Sequence, residues 1–213
     1  MASLSPAFQR DWVMRIASAG FIVGVALSWR AWTNIGRSLP TAPVFGWGQG
    51  FHPALSVALT IAMLLSFATI VVRPSIRSAG LAGCVFLLIL ALLDQMRWQP
   101  WVWHCLLLVA PFLLLRAAKT EMALRCARIT TIGFYFWAGF HKIGAPFQNF
   151  YRGTLIRPWL AEASPSQESL LTAAGYAIPV VEIAVALLLA LKFRLTRRAG
   201  VLLVTAIHLG ILG

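Results

Sequence analysis

Charge is scarce in this chain: 11% of its 213 residues are Asp, Glu, Lys or Arg, 60% are hydrophobic, and mean hydropathy is +0.80. Water-soluble domains carry about a quarter charged residues, so that class is excluded. Strand-like alternation is missing as well. Runs such as AGLAGCVFLLILALL (79–93) and VEIAVALLLAL (181–191) show neither a polar helical face nor a two-residue period, which excludes barrel strands and leaves lipid-embedded helices. The 3 Cys (Cys84, Cys105, Cys126) lie inside apolar runs without CxxC spacing. That pattern indicates neither a disulfide framework nor a thiolate metal site, and they read as small buried hydrophobes. No GxGxxG, P-loop or HExxH pattern points to nucleotide, zinc or haem chemistry, and no metal ligands are assigned. A cleavable leader is not evident, because the first apolar run holds Arg15 and ends in WRAW rather than at a small-residue site.

What is there predicts an all-α fold, a polytopic transmembrane bundle of about seven spans. They fall at roughly 12–30, 54–73, 79–96, 100–118, 123–142, 171–191 and 198–213, divided by turn signals such as RPSIRS, RWQPW, KTE and KFRLTRR. The net charge of +12 sits in short clusters between apolar runs. Those are topology signals rather than a nucleic-acid face, and no nucleic-acid partner is expected. Placing the N-terminus in the cytoplasm gathers Arg10, Arg15, Arg73, Arg77, Arg194, Arg197 and Arg198 on that side, as the positive-inside rule requires, and puts Lys142 at the outer face. The long connections 31–53 and 143–170 then both lie outside. They mix Trp and Phe with Gly, Pro and Arg, as interfacial or re-entrant segments do, and are expected to roof a cavity. Residues 1–213 read as a single transmembrane domain, and because the last apolar run has no polar flank at HLGILG, a continuation past Gly213 is expected.

Ionisable groups within spans are functional candidates by default: Asp94, His104, Arg125, Arg128, His141, Lys142, Glu182 and His208. Counting helix rise puts Glu182 and His208 near mid-membrane, where they can hydrogen bond, with Arg128 as the competing partner for Glu182. The plain alternative is a polar contact that locks helices together. In LLDQMRWQPWVW (92–103), Asp94 and Arg97 are spaced to pair on one helix face, Pro100 suits a first turn, and Trp98, Trp101 and Trp103 suit an interfacial belt. Lys142 has a plain reading too, a cation snorkelling to headgroups. It is followed, however, by IGAPFQNF rather than a polar loop. If that segment folds back over it, the amine loses water and becomes a candidate base, with Arg152 and Arg157 as positive neighbours.

The order Tyr135, Phe136, Ala138, Gly139, Lys142, Phe147, Tyr151, then a span with an acidic residue, an Arg-rich turn and a span with His208, resembles the membrane domain of vitamin K-dependent γ-glutamyl carboxylase and its bacterial HTTM relatives. Leu93, Asp94 and Trp98 fit the same template, and the stretch from Pro179 to Gly200 is also similar to DoxX and MauE-type membrane proteins. The resemblance implies that Lys142 is the base acting on a quinone or vitamin K-like hydroquinone at an outward-facing site. His141 stands where the family has a second lysine, and His104 is the nearest candidate for the family's functional histidine.

Two principal readings follow. In the first, Lys142, His141 and His104 are catalytic, assisted by Arg157, with Trp98, Trp101 and Phe147 lining an apolar slot for the cofactor. In the second, the chain is a non-catalytic subunit of a larger bacterial respiratory or photosynthetic membrane complex. A DoxX-like partner that passes quinones to a redox enzyme is a third. All three place the chain in a lipid bilayer, the bacterial cytoplasmic membrane, with other membrane subunits as possible partners.

Overall fold

A serine followed by a proline opens two of the longest helices. Ser5 Oγ accepts from Phe8 N–H at 3.3 Å ahead of α1 (Pro6–Leu27), and Ser164 forms a reciprocal capping box with Gln167 ahead of α9 (Pro165–Ala190). In both, the proline occupies the first turn, where no N–H is needed, and the serine supplies an acceptor to an orphan donor. The computed structural model describes residues 5–36, 40–45, 53–115 and 117–212, the side chains of Ala117, Leu155 and residues 207–212 aside. Between these two helices lie α2 (Trp29–Thr33), α3 (Pro53–Val72), α4 (Arg77–Leu93), α5 (Pro100–Leu114), α6 (Thr120–His141), α7 (Ala145–Phe150) and α8 (Arg157–Leu160), and α10 (Arg194–Leu212) follows. Every regular element among the described residues is helical, so the chain is all-α.

A helix occupies each of the seven expected positions, but the expected number of spans does not hold. Among the described residues, only α3 and α9 are long and apolar enough to cross a membrane. The reasons are length and charge. At about 1.5 Å per residue, α4 with 17 residues and α5 with 15 fall short of a hydrocarbon core of about 30 Å. Helix α1 carries Arg10, Asp11 and Arg15, α6 carries Glu121, Arg125 and Arg128, and α10 opens on Arg194, Arg197 and Arg198.

The chain divides into two compact units, residues 1–127 and 128–213, the boundary falling within α6. In the first unit, Phe21, Trp32, Met63, Phe67, Leu87, Leu90 and Val102 form a core of fully buried side chains. The Phe21 ring lies 4.6 Å from Phe67 and 5.8 Å from Trp101. Trp101 lies so close to α1 that a Cβ at Gly24 would meet its ring at 2.7 Å. Arg97 is also buried in this unit, at 1% exposure. Its guanidinium donates to the carbonyls of Ala31 (3.1 Å), Leu90 (2.8 Å) and Trp32 (2.9 Å), in the last turns of α2 and α4. Trp98 Nε1 donates to Ala91 O at 2.8 Å, and Val44 N–H to Leu92 O at 3.0 Å. Three of the last four carbonyls of α4, those of Leu90, Ala91 and Leu92, thereby receive donors. Asp94, fully buried, accepts from the backbone N–H groups of Ala42 (3.2 Å) and Met96 (3.1 Å), which fixes residues 40–45 against the same corner.

In the second unit Tyr135, Val185 and Ala186 form a small buried core with Ile132, Leu189 and Leu203 packed against it. Arg128 donates to the carbonyls of Leu189 (2.7 Å), Ala190 (2.8 Å) and Leu191 (3.2 Å) at the end of α9. Removing the Arg97 side chain strands carbonyls of two helices in an apolar corner, so Arg97→Ala is expected to cost about 3 kcal/mol, and Arg97→Lys, which lacks the fork, most of that. Denaturant or thermal unfolding in detergent measures both, and a loss below about 1 kcal/mol contradicts the assignment.

Candidate functional site

A proline inside a helix determines how the second unit is built. Pro179 has no N–H, so the carbonyl one turn earlier in α9, that of Gly175, loses its helical donor. Gln148 supplies one: its Nε2 donates to Gly175 O at 3.0 Å from α7, and the side chain is buried in doing so. Beside it, the Tyr151 hydroxyl donates to Leu171 O at 3.1 Å. A Cβ at Gly175 would sit 2.6 Å from the Tyr151 ring, so only glycine admits this approach. Tyr151 opens a π turn in which Ile156 N–H reaches Tyr151 O at 3.0 Å. Burial pushes the Tyr151 phenol up from its ordinary value. Gly144, with φ of 123°, turns the chain from α6 into α7. The segment after Lys142 therefore does fold back, held on α9 by Gln148 and Tyr151.

The end of α6 lies equally close to α9. A Cβ at Gly139 would lie 2.7 Å from Pro179 O and 2.8 Å from the Ile183 side chain. This contact brings Lys142, just past the helix end, within reach of Glu182 one turn beyond Pro179. Lys142 Nζ hydrogen bonds and ion-pairs with Glu182 Oε1, and lies 5.9 Å from the centre of the Phe147 ring. Glu182 is 9% exposed; its second oxygen, Oε2, is buried without a hydrogen-bond partner, as is Gln148 Oε1. Two buried acceptors without donors along α9 are costly unless something else donates to them.

Several expectations change on this geometry. Glu182 pairs with Lys142 rather than with Arg128, which is committed to the end of α9. The side chain of His208, the other expected partner, lies outside the described residues. Lys142 does not snorkel away from the protein; its amine faces a carboxylate. Arg152 is no bare positive neighbour, because it pairs with Glu168 at 3.0 Å, both exposed, and Arg157, at the start of α8, is exposed. His141 is exposed at the end of α6, while Phe147 is half-buried beside Lys142. Trp98, Trp101, Asp94 and His104 belong to the first unit, where Trp101 fills an aromatic cluster with Phe21 and Trp32, Trp98 caps α4, and His104 is half-buried on α5. The helix on which Asp94 and Arg97 are expected to share a face stops at Leu93, and Asp94 caps the turn Gln95–Arg97. Gln148 is the site residue that sequence reading missed. Its signal was Pro179, which announces an orphan carbonyl one turn back.

No family model, curated protein or solved structure matches this chain. The site is therefore read from its own chemistry.

Since the two charges are in contact, Lys142→Met and Glu182→Gln are each expected to destabilise by about 2–3 kcal/mol, reduced from the fully buried case by the partial exposure of Lys142. A double-mutant cycle should return a coupling of about 1–3 kcal/mol, and a coupling near zero contradicts the contact. Tyr151→Phe removes one hydrogen bond, expected to cost about 1 kcal/mol. With its folded value raised, the phenol's contribution is fully present below its unfolded value of 10.0 and is lost as pH rises through the folded one. The fall in stability in strong alkali should accordingly be shallower in Tyr151→Phe than in the parent.

Proposed function

We propose that this chain is an integral membrane protein, N-terminus inside, whose Lys142–Glu182 pair exchanges a proton with a lipophilic, quinone-like hydroxyl donor at the outer face. The observation that carries this reading is the pair itself: a half-buried lysine on a buried carboxylate whose second oxygen has no partner. Membrane embedding is supported by α3 and α9, since only 28% of the apolar stretch of each is buried within the protein. In a soluble protein such helices would be mostly buried.

Glu182 Oε2 and Gln148 Oε1 are acceptors, and a hydroquinone offers two hydroxyl donors, so the residues present fit that class of group. Such a group, when bound, supplies ionisable hydroxyls and two-electron redox chemistry. The chain's own part is narrower. Glu182 Oε2, the oxygen not engaged by Lys142, takes a proton from the bound hydroxyl, and the Lys142 ammonium compensates the charge left behind. Phe147 gives the site an apolar wall, and Gln148 orients the donor while remaining fixed to Gly175. This assigns proton acceptance to the pair and not to a lone amine, with Lys142 as its electrostatic half. The resemblance to HTTM and carboxylase membrane domains supports the lysine's position and the class of cofactor.

A scaffold role is the second reading, favoured by the apolar rings of Phe136, Trp137 and Phe140 exposed on α6. An accessory subunit would bury that face against a neighbour and keep Lys142–Glu182 only as a helix lock. The two separate cleanly in one variant. Replacing both charges, Lys142→Met with Glu182→Leu, is expected to leave stability within about 1 kcal/mol or raise it, because neither charge is left alone. In that folded protein the proposal expects saturable binding of a reduced quinone analogue, followed by tryptophan quenching in proteoliposomes, to be lost. Binding equal to that of the parent leaves the pair a lock and overturns the proposal.

A further inference from the structure

A concave site lies in the first unit, far in sequence from Lys142. A cavity of about 150 Å³ opens among the start of α1, the turn between α3 and α4, the end of α5 and the first turn of α6. Its lining divides by chemistry. Arg10 and Arg77 provide the charge, Ser75 and Thr120 provide hydroxyls, and Met14 and Phe112, both buried, form the floor. Both charged residues lining it are positive. Asp11 sits outside the lining and forms an ion pair with Arg10, whose Nη2 lies 2.6 Å and Nε 2.8 Å from Asp11 Oδ1, which offsets part of the Arg10 charge. Arg77 directs Nε and Nη2 to the carbonyl of Leu113, at the negative end of α5, which fixes the position of its guanidinium at the rim without neutralising it. The opposite end of a helix, the start of the 22-residue α6, enters the same cavity at Thr120, its positive end offset by Glu121 in the same turn.

We infer that this cavity binds the phosphate of an acidic phospholipid headgroup. Two guanidiniums with flanking hydroxyls are the side chains that recognise a phosphate monoanion or diester, and the cavity holds one such group and little more. The lipid source, as against soluble phosphate, follows from the surroundings. Phe8 and Trp12 on the same turns of α1 form an exposed edge-to-face ring pair 6.0 Å apart, the kind of aromatic pair that sits at headgroup level. The exposed Ile16, one turn beyond Trp12, continues the apolar strip of Phe8 and Trp12 on that face of α1. Arg15 on α1 and Arg73 just after α3 add to the attraction for an anionic leaflet. The inference rests on membrane embedding but not on any role of Lys142 or Glu182.

The test uses the full chain in detergent with added short-chain phosphatidylglycerol, phosphatidylcholine or inorganic phosphate, reading bound lipid by native mass spectrometry and protection by thermal unfolding. Arg10→Gln is the informative variant, because Arg10 caps no helix; Arg77→Gln serves as a second, its fold checked by the same melting curve. Phosphatidylglycerol is expected to bind and protect the parent, and Arg10→Gln to weaken its binding about fivefold with an unchanged lipid-free melting temperature. Indifference to headgroup charge, or equal binding by Arg10→Gln, overturns the inference. Protection by inorganic phosphate as strong as that by the lipid overturns the lipid source and leaves a soluble phosphate in its place.

Discussion

The last carbonyls of a helix have no partners within it, and where water is excluded they must find donors elsewhere. This chain answers that constraint with arginine taken from other elements. Arg15 donates to Val72 at the end of α3, Arg77 to Leu113 at the end of α5, Arg97 to the ends of α2 and α4, and Arg128 and Arg197 to the end of α9. None of α1, α3, α4, α5 or α9 carries a basic residue in its own last turn. A forked guanidinium reaches two or three carbonyls at once, which an ammonium cannot do in a fixed geometry. Much of the basic excess, which by composition alone resembles an affinity for anions, is thus structural: it closes helices.

The same accounting explains the candidate site. Pro179 frees a carbonyl in the middle of α9, and the chain responds by folding α7 back so that Gln148 can satisfy it. That fold carries Phe147 to Lys142 and turns the lysine inward, toward a carboxylate that would otherwise be buried alone. The unpartnered oxygens of Glu182 and Gln148 are, with Ser18 Oγ in the first unit, where the accounting does not close, and of these only Glu182 is an ionisable group beside a second charge, which is where chemistry is to be sought.

How much of this was legible beforehand depended on the kind of signal. The apolar runs located the long helices, and where the starts were missed, at α1 and α9, the cause is common: each opens with Ser-Pro and runs through polar residues, Gln9–Asp11 in α1 and Ser166–Ser169 in α9, before its apolar stretch. Span counting failed for a different reason, since an apolar run of 15 to 17 residues reads as a span once flanking polar residues are added to it, whereas the helix stops at its cap. Lys142 and Glu182 were each singled out, but their pairing was not. It depends on the register of α6 against α9, set by Gly139 meeting Pro179 and Ile183, and register between helices leaves no mark in either sequence alone. Arg97 appeared only as a partner for Asp94, because a buried arginine that serves backbone carbonyls has no pairwise sequence signature.

The claim on which the functional account rests is that Glu182 changes protonation when a hydroxyl donor binds beside Lys142. Infrared difference spectroscopy of the protein in lipid, on adding a reduced quinone analogue, reads this directly. The account predicts a carboxylic-acid C=O band that appears on binding and is missing from Glu182→Gln. A difference spectrum with no such band, from a protein that has bound the analogue, would show the pair to be a fixed ionic contact and contradict it.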